Sequence, residues 1–344
     1  MKLIIQIPCF NEEDTLPQTL AQLPREVEGI ATVEWLVVDD GSTDDTVRVA
    51  RDHGVDHIVS LSPNRGLARA FTAGLDACLM RGADVIVNTD GDNQYHGGDI
   101  AALVKPVVEG RADLAIGARP IDEIEHFSPL KKVLQKLGSW AVRTASGTEI
   151  RDAASGFRAF SREAALRLHV YSEYTYTMDT TILAGQIGMS VVSVPVRTNP
   201  QTRPSRLMKS VPSYLWRTGL AILRVFVIYR PARTFFLLGA VPFLAGFALC
   251  VRWLVLYVGD IAADEVARGR EPSLILAAIL IIVAIQMWLF GVLADLIGAN
   301  RKLIEDVQYR VKRRALEDVN DGHAGQGGAD TNGPGAGRRD PGPG

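Results

Sequence analysis

Cysteine is scarce and scattered: Cys9, Cys78 and Cys250 share no motif spacing, which excludes a disulfide framework and a zinc cluster. Charge is absent from Thr234 to Val251, and after Arg252 the chain runs apolar to Val258; a second uncharged stretch extends from Ser273 to Ala294. Each approaches or exceeds the roughly 20 apolar residues that cross a bilayer. One such run also suits a buried core helix, but two in succession across a short polar loop favour a transmembrane hairpin with spans over 232–258 and 273–298. Acid is absent from Arg203 to Arg233, where seven cations interleave with Leu215, Trp216, Leu220, Leu223, Phe226 and Tyr229. This reads as amphipathic helices lying in the membrane interface over 206–231, broken at Pro212 and ended by Pro231. The plainer alternative is a basic linker resting on anionic lipid. No basic domain is present, so nucleic acid is not an expected partner, and the net charge of -2 selects no partner class.

The opening "KLIIQIPCFNEE" breaks its apolar run at Pro8 and turns acidic at once, unlike a signal peptide. Arg217, Arg224, Arg230 and Arg233 precede the first apolar stretch and Arg301 and Lys302 follow the second, while the loop "GDIAADEVARGREP" is net acidic. By the positive-inside rule both ends are expected in the cytosol, with the protein integral to the cytoplasmic membrane. A cytosolic basic helix is expected over 299–318, and the Gly, Pro and Asp-rich 319–344 is expected to be a disordered tail.

Up to about residue 205 short β-rich runs alternate with helical stretches, which argues for an α/β domain with a parallel sheet covered on both faces. The runs are "LIIQI", "VEWLVV", "HIVSL", "ADVIVNT", "DLAIGA", "GFRAF" and "MSVVSVPV". Asn11 is expected to cap a helix opening on Glu12, Glu13 and Asp14, Ser42 with Asp45 resembles a capping box, and Asn64 to Gly66 lead into a further helix. No G-x-G-x-x-G follows the first strand, which argues against a dinucleotide-binding dehydrogenase. Three polar loops, Pro8 to Glu12, Asp39 to Ser42 and Thr89 to Gln94, fall at strand carboxyl ends, where such sheets bind ligands. In "VNTDGDNQYH", Asp90 and Asp92 are two residues apart, so in an extended segment both carboxylates face one side and can share a divalent cation, with Gly91 letting a ligand approach the backbone. Acid pairs at this spacing also arise by chance, as Glu123 and Glu125 illustrate; the convergence of three loops favours the metal.

In order, "IPCFNEE", "VVDDGSTDDT", "NRGLARAFTAG", "NTDGDNQ", "GAR" and "DAASGFRAF" resemble a family 2 glycosyltransferase of the dolichyl-phosphate mannose synthase kind. The resemblance covers about residues 1–210 and, with the two spans, most of the chain before the tail. It implies a GT-A nucleotide-sugar-binding (Rossmann-like) domain over 1–205, then interfacial helices and a two-helix transmembrane hairpin. It also implies Mg2+ or Mn2+ as cofactor, and inverting transfer of a hexose from a UDP- or GDP-sugar to a polyprenyl or dolichyl phosphate in the bilayer. Carried over by position, Pro8, Phe10 and Glu12 match the loop that holds the nucleoside, and Asp40 matches an acid on the base or ribose. Asp90, Asp92 and Gln94 match the metal and diphosphate motif around Gly91, Arg119 matches a cation near the phosphates, and Asp152 and Arg158 match the sugar and acceptor side. For each, a capping or fold-holding role is the plainer reading.

The family's R-x-x-G-x-S-K segment departs here to "PQTRPSR", with Pro200 in place of the first arginine, Arg203 in place of glycine and Arg206 in place of lysine. Arg203, Arg206 and Lys209 are the expected holders of the acceptor phosphate, with Arg197 or Arg203 replacing the missing cation. A phosphate monoester is mostly dianionic at neutral pH, so no strong general base is required. The expected catalytic set is Asp90, Asp92, Arg119 and Asp152, with Asp152 or Asp179 orienting a sugar hydroxyl. Two other readings are a processive polysaccharide synthase, whose Q-x-x-R-W motif is absent, and a non-catalytic membrane scaffold, for which an intact metal motif is unexpected. A homo-oligomer is compatible with the chain.

Overall fold

The structure, a computed structural model, describes residues 1–120, 129–170, 176–200, 211–262 and 271–327. The strands are β1 (Lys2–Cys9), β2 (Thr32–Asp39), β3 (His57–Ser60), β4 (Val85–Asn88), β5 (Leu114–Ala118), β6 (Arg158–Ser161) and β7 (Val191–Pro195). They form one sheet in the order β3-β2-β1-β4-β6-β5-β7. The helices of this part are α1 (Leu16–Gln22), α2 (Thr46–Asp52), α3 (Leu67–Met80), α4 (Ile100–Val108), α5 (Pro129–Ser146), α6 (Arg162–Arg167) and α7 (Tyr176–Gln186).

Strand alternation sorts the core into two layers. Ile4, Leu36, Val38, Ile86, Leu114 and Phe160 pack with Phe71, Leu75, Val142 and Ile182 from α3, α5 and α7. From the opposite face Leu3, Ile5, Ile7, Val37, Val85 and Val87 meet Leu16, Leu20, Ile100, Leu103 and Val104 of α1 and α4. The order reverses between β1 and β4, which opens a crevice at their carboxyl ends.

Three local expectations are corrected. The sheet is mixed rather than parallel, because β6 runs antiparallel to both β4 and β5; its amino-terminal loop, Asp152 to Phe157, therefore reaches the crevice. Asn11 does not cap a helix: it adopts φ 53° and accepts from the Thr43 N–H at 2.8 Å, and α1 starts only after Thr15. Ser42 makes no capping box either; its hydroxyl accepts from the Asn11 N–H at 3.0 Å, and α2 follows Asp45.

Beyond β7 the chain continues as α8 (Val211–Tyr229), α9 (Pro231–Ala262) and α10 (Glu271–Gly327). Pro212 does not break a helix; it sits in the first turn of α8, where its missing N–H costs nothing, and Pro231 opens α9. Helices α9 and α10 each carry a stretch long and apolar enough to cross a membrane, with little of it buried within the protein. They pack on each other through small residues. A Cβ on Gly239 would meet Trp288, whose Nε1–H donates to the Phe236 carbonyl at 3.1 Å, and one on Gly246 would meet the Ala277 carbonyl.

The basic segment after the second apolar stretch is not a separate helix but the continuation of α10, which docks back on the α/β domain. The Tyr309 hydroxyl donates to Glu163 at 2.9 Å, Arg167 lies 4.6 Å from the Tyr309 ring centre, Lys312 pairs with Asp76 at 2.5 Å, and Leu316 is buried. The backbone stays helical to Gly327, past the expected tail boundary at 319; residues 328–344 lie outside the described residues.

Candidate active site

The three strand-end loops do converge. Two are stitched by the Glu12 N–H donating to the Thr46 hydroxyl at 2.9 Å and by the Asn11 contacts with Ser42 and Thr43. The third is pinned from below by α1: Thr15 and Thr19 both donate to the Gly91 carbonyl at 3.1 Å. At Gly91 a Cβ would sit 2.9 Å from the Cys9 sulfur, so its missing side chain also makes room for the end of β1.

Asp90 follows directly on the buried β4–Thr89 segment, and its carboxylate occupies the space that a side chain on Gly156 would fill, since a Cβ at that position would lie only 2.9 Å from Oδ1. Burial, then the neighbouring Asp92 carboxylate, pushes the Asp90 pKa up to about 7, despite Arg119. A buried carboxylate with a second one beside it favours a positive ion at this point, which is the demand a divalent cation meets. Asp92 accepts from the Gln94 N–H at 3.2 Å, so the turn presents both acids. Among the described residues no group of three or more His, Cys, Asp or Glu is arranged to hold a metal. A hard divalent ion fits this donor set only as Mg2+ or Mn2+ commonly do, with one or two carboxylates and the rest from substrate phosphates and water.

Arg119 and Asp152 form a buried two-pronged ion pair, Nε to Oδ2 at 2.6 Å and Nη2 to Oδ1 at 3.1 Å, with side chains 6% and 1% exposed. Burial opposes the guanidinium charge, but Tyr95 and Asp152 outweigh it and the Arg119 pKa is raised. Asp152 gives both oxygens to Arg119 and accepts from the Ala154 N–H as well, so it orients Arg119.

Several expected roles move. Arg158 is fully buried and donates to the Ser155 and Ala153 carbonyls and to the Thr180 and Thr181 hydroxyls. It braces α7 against the start of β6 instead of meeting an acceptor. Asp40 gives its two oxygens to the Arg65 and Gly66 N–H groups at 2.8 Å each, fixing the entry to α3. Asp179 accepts from the Tyr229 hydroxyl of α8 at 3.2 Å, joining the α/β domain to the apolar helices. Arg197 is paired with Asp99 at 2.6 Å. The Glu12 carboxylate is buried and accepts from Thr15 at 2.7 Å, while Pro8 is the penultimate residue of β1, beside Gly91, and Phe10 stays 38% exposed. Arg203, Arg206 and Lys209 lie outside the described residues.

Three site residues escaped sequence reasoning. The Tyr95 hydroxyl accepts from the Gly156 N–H at 3.0 Å and its ring stacks on Phe157. Asn88 donates to the Gly156 carbonyl at 2.8 Å and to the Tyr176 hydroxyl at 3.1 Å, so the loop under Asp90 is gripped from both sides. Asn199 clasps the turn that bears Asp92. All three pair across large sequence separations; only the uncharged polar Asn88 at the end of an apolar strand offered a local signal.

Residues 4–168 match the family model for glycosyl transferase family 2. The polyprenol monophosphomannose synthase of Mycolicibacterium smegmatis is 31% identical over 206 residues, 57% of this chain and 76% of that protein. The undecaprenyl-phosphate mannosyltransferase of Micrococcus luteus is 30% identical over 207 residues, 57% of this chain and 83% of that protein. Among solved structures, glucosyl-3-phosphoglycerate synthase from Mycobacterium tuberculosis in complex with Mn2+, uridine-diphosphate and phosphoglyceric acid aligns with a TM-score of 0.50 at 20% identity. It covers 66% of this chain and 77% of that one. At that identity the likeness establishes a GT-A-like fold.

Proposed function

The chain belongs to glycosyl transferase family 2, and from that premise we propose that it transfers a hexose from a UDP- or GDP-sugar to a polyprenyl or dolichyl phosphate, with inversion, giving a lipid-linked monosaccharide. The observation that supports this is the placing of Asp90 and Asp92 together at the strand-order reversal, with the buried Asp90 carboxyl pushed up by burial and by its neighbour Asp92. Asp90 and Asp92, with Gln94, hold Mg2+ or Mn2+ in this reading, and the ion when bound supplies charge compensation for the departing nucleoside diphosphate. Phe10 and the loop from Pro8 to Glu12 receive the nucleoside. Arg119, oriented by Asp152, adds a fixed positive charge for the phosphates in a site that excludes water. The acceptor phosphate is already a nucleophile at neutral pH, so the chain needs to hold it in line rather than deprotonate it.

Membrane placement of this site is supported by a continuous apolar margin. Exposed Val133, Leu137 and Trp140 follow one face of α5 with Lys136 between them and Arg143 one turn further on, Trp140 meets Phe226 of α8 at 6.1 Å, and α8 adds exposed Leu220 and Leu223 before α9 begins. Helices with interleaved apolar and basic residues seat in the headgroup region. In this reading α9 and the apolar part of α10 span the bilayer, both chain ends lie in the cytosol, and Arg203, Arg206 and Lys209 bind the lipid phosphate. The test is a screen of UDP- and GDP-hexoses against polyprenyl phosphate with the purified chain in lipid nanodiscs. A single lipid-linked sugar from one donor supports the reading; a polymer on the acceptor, or transfer only to a water-soluble acceptor, contradicts it.

A further inference from the structure

The chain leaving β7 does not turn away from the metal-loop candidate but zips along it. The Val196 N–H donates to the Ala118 carbonyl, the His96 N–H to the Arg197 carbonyl and the Asn199 N–H to the Gln94 carbonyl at 2.9 Å, with Thr198 bridged to Tyr95. At the end of this ribbon the Asn199 side-chain nitrogen faces four oxygens: Gln22 Oε1 at 2.9 Å, the Asn93 carbonyl at 3.0 Å, Asn93 Oδ1 at 3.1 Å and the Tyr95 carbonyl at 3.2 Å. An amide has two hydrogens, so they are shared among acceptors that a donor alone can satisfy. The turn it holds is a left-handed one: Asn93 is 6% exposed and sits at φ 58°, a region that asparagine tolerates and glycine enters most freely. Asp92 precedes Asn93 and Gln94 follows it, while Asn199 itself stands immediately before Pro200 and the "QTRPSR" segment.

We propose that Asn199 is a positioning residue that locks the Asp92–Gln94 turn to the chain leaving β7, and so fixes the geometry in which Asp92 and Gln94 face the metal. This rests on the metal assignment of the preceding subsection. Asn199→Asp is nearly isosteric but turns a donor toward four acceptors into an acceptor, and should release the turn. Asn93→Gly takes up a positive φ without strain and should lower the turn's dependence on Asn199.

The experiment measures Mn2+ binding by electron paramagnetic resonance with UDP and with GDP, and melting temperature, on the full chain in nanodiscs. Asn199→Asp is expected to weaken Mn2+ binding by roughly tenfold, with little change in melting temperature. Asn93→Gly combined with Asn199→Asp is expected to recover much of the Mn2+ affinity, a result that a merely fold-holding role does not give. Unchanged Mn2+ affinity in Asn199→Asp overturns the proposal, as does a loss that tracks melting temperature or that Asn93→Gly leaves untouched. Asp92→Asn separates the two levels: if it loses Mn2+ while Asn199→Asp does not, the positioning role alone fails, and if Asp92→Asn keeps Mn2+, the metal assignment falls with it.

Discussion

Removing the Asp152 carboxylate should strand Arg119, a buried cation of the candidate site. Arg119 has its guanidinium committed to Asp152 through two contacts of 2.6 and 3.1 Å in a place where the pair is almost wholly shielded from water. Deleting one member of a buried pair leaves the other charge uncompensated, which typically costs about 3–5 kcal/mol. For a domain of this size each kcal/mol lowers the melting temperature by about 2–4 °C. Asp152→Ala should therefore melt roughly 6–20 °C below the wild type by differential scanning fluorimetry of the full chain. Replacing both partners by apolar residues, Arg119→Met with Asp152→Leu, removes the orphan charge and should restore most of that loss. Turnover should not return with stability: a preorganised charge facing phosphates is worth about a hundredfold or more. A double variant that regains both stability and turnover would refute the placing of Arg119 on the phosphates, and an Asp152→Ala protein that melts like the wild type would refute the buried pair itself.

Arg158→Ala should leave four buried acceptors without a donor and lower the yield of folded protein and its melting temperature by an amount similar to the Asp152 deletion, while acceptor KM of the surviving folded fraction stays unchanged. Arg206→Ala should reduce acceptor-dependent efficiency roughly ten- to hundredfold, the worth of a charge-assisted contact to phosphate at about 1.5–3 kcal/mol, with donor binding near wild type; separate titrations of acceptor and nucleotide sugar check it. His169 lies beside Lys312 and Asp76 where α10 docks, and burial, then Lys312, lowers its pKa below 6.5. The folded state then binds fewer protons than the unfolded state as pH falls from 6.5 toward the lowered value, so stability drops across that window. Melting curves between about pH 7 and pH 5 should show this loss in the wild type and a reduced loss in His169→Gln.

Apolar strands announce themselves, and β1, β2, β4 and β5 were legible because both faces are covered and their runs are nearly unbroken. Strand direction is not written in such runs. "GFRAF" reads equally well either way, and only the tertiary route through Asp152 to Phe157 makes β6 antiparallel. Local signals misled where a distant partner claimed the residue: Asn11 and Ser42 look like caps, yet they bind each other's loops at the carboxyl ends of β1 and β2. Asp90 and Asp92 stand out from spacing and position, and the structure places them on one turn at the strand-order reversal. Arg158 was not, because a motif arginine on a polar loop and one braced inside the core carry the same letter. Asn199 was invisible, since its four acceptors come from residues 22, 93 and 95.

The central claim, that the Asp90–Asp92 pair works by holding a divalent cation for transfer of a sugar to a lipid phosphate, is tested by one assay. Radiolabelled sugar is followed from its nucleotide donor into polyprenyl phosphate by the full chain in nanodiscs, with Mg2+ or Mn2+ present, after EDTA, and in Asp92→Asn. Labelled lipid is expected with metal, with loss of nearly all of it in EDTA, recovery on adding metal back, and almost none from Asp92→Asn at any metal concentration. Full turnover in EDTA, or an Asp92→Asn protein as active as the wild type, would contradict it.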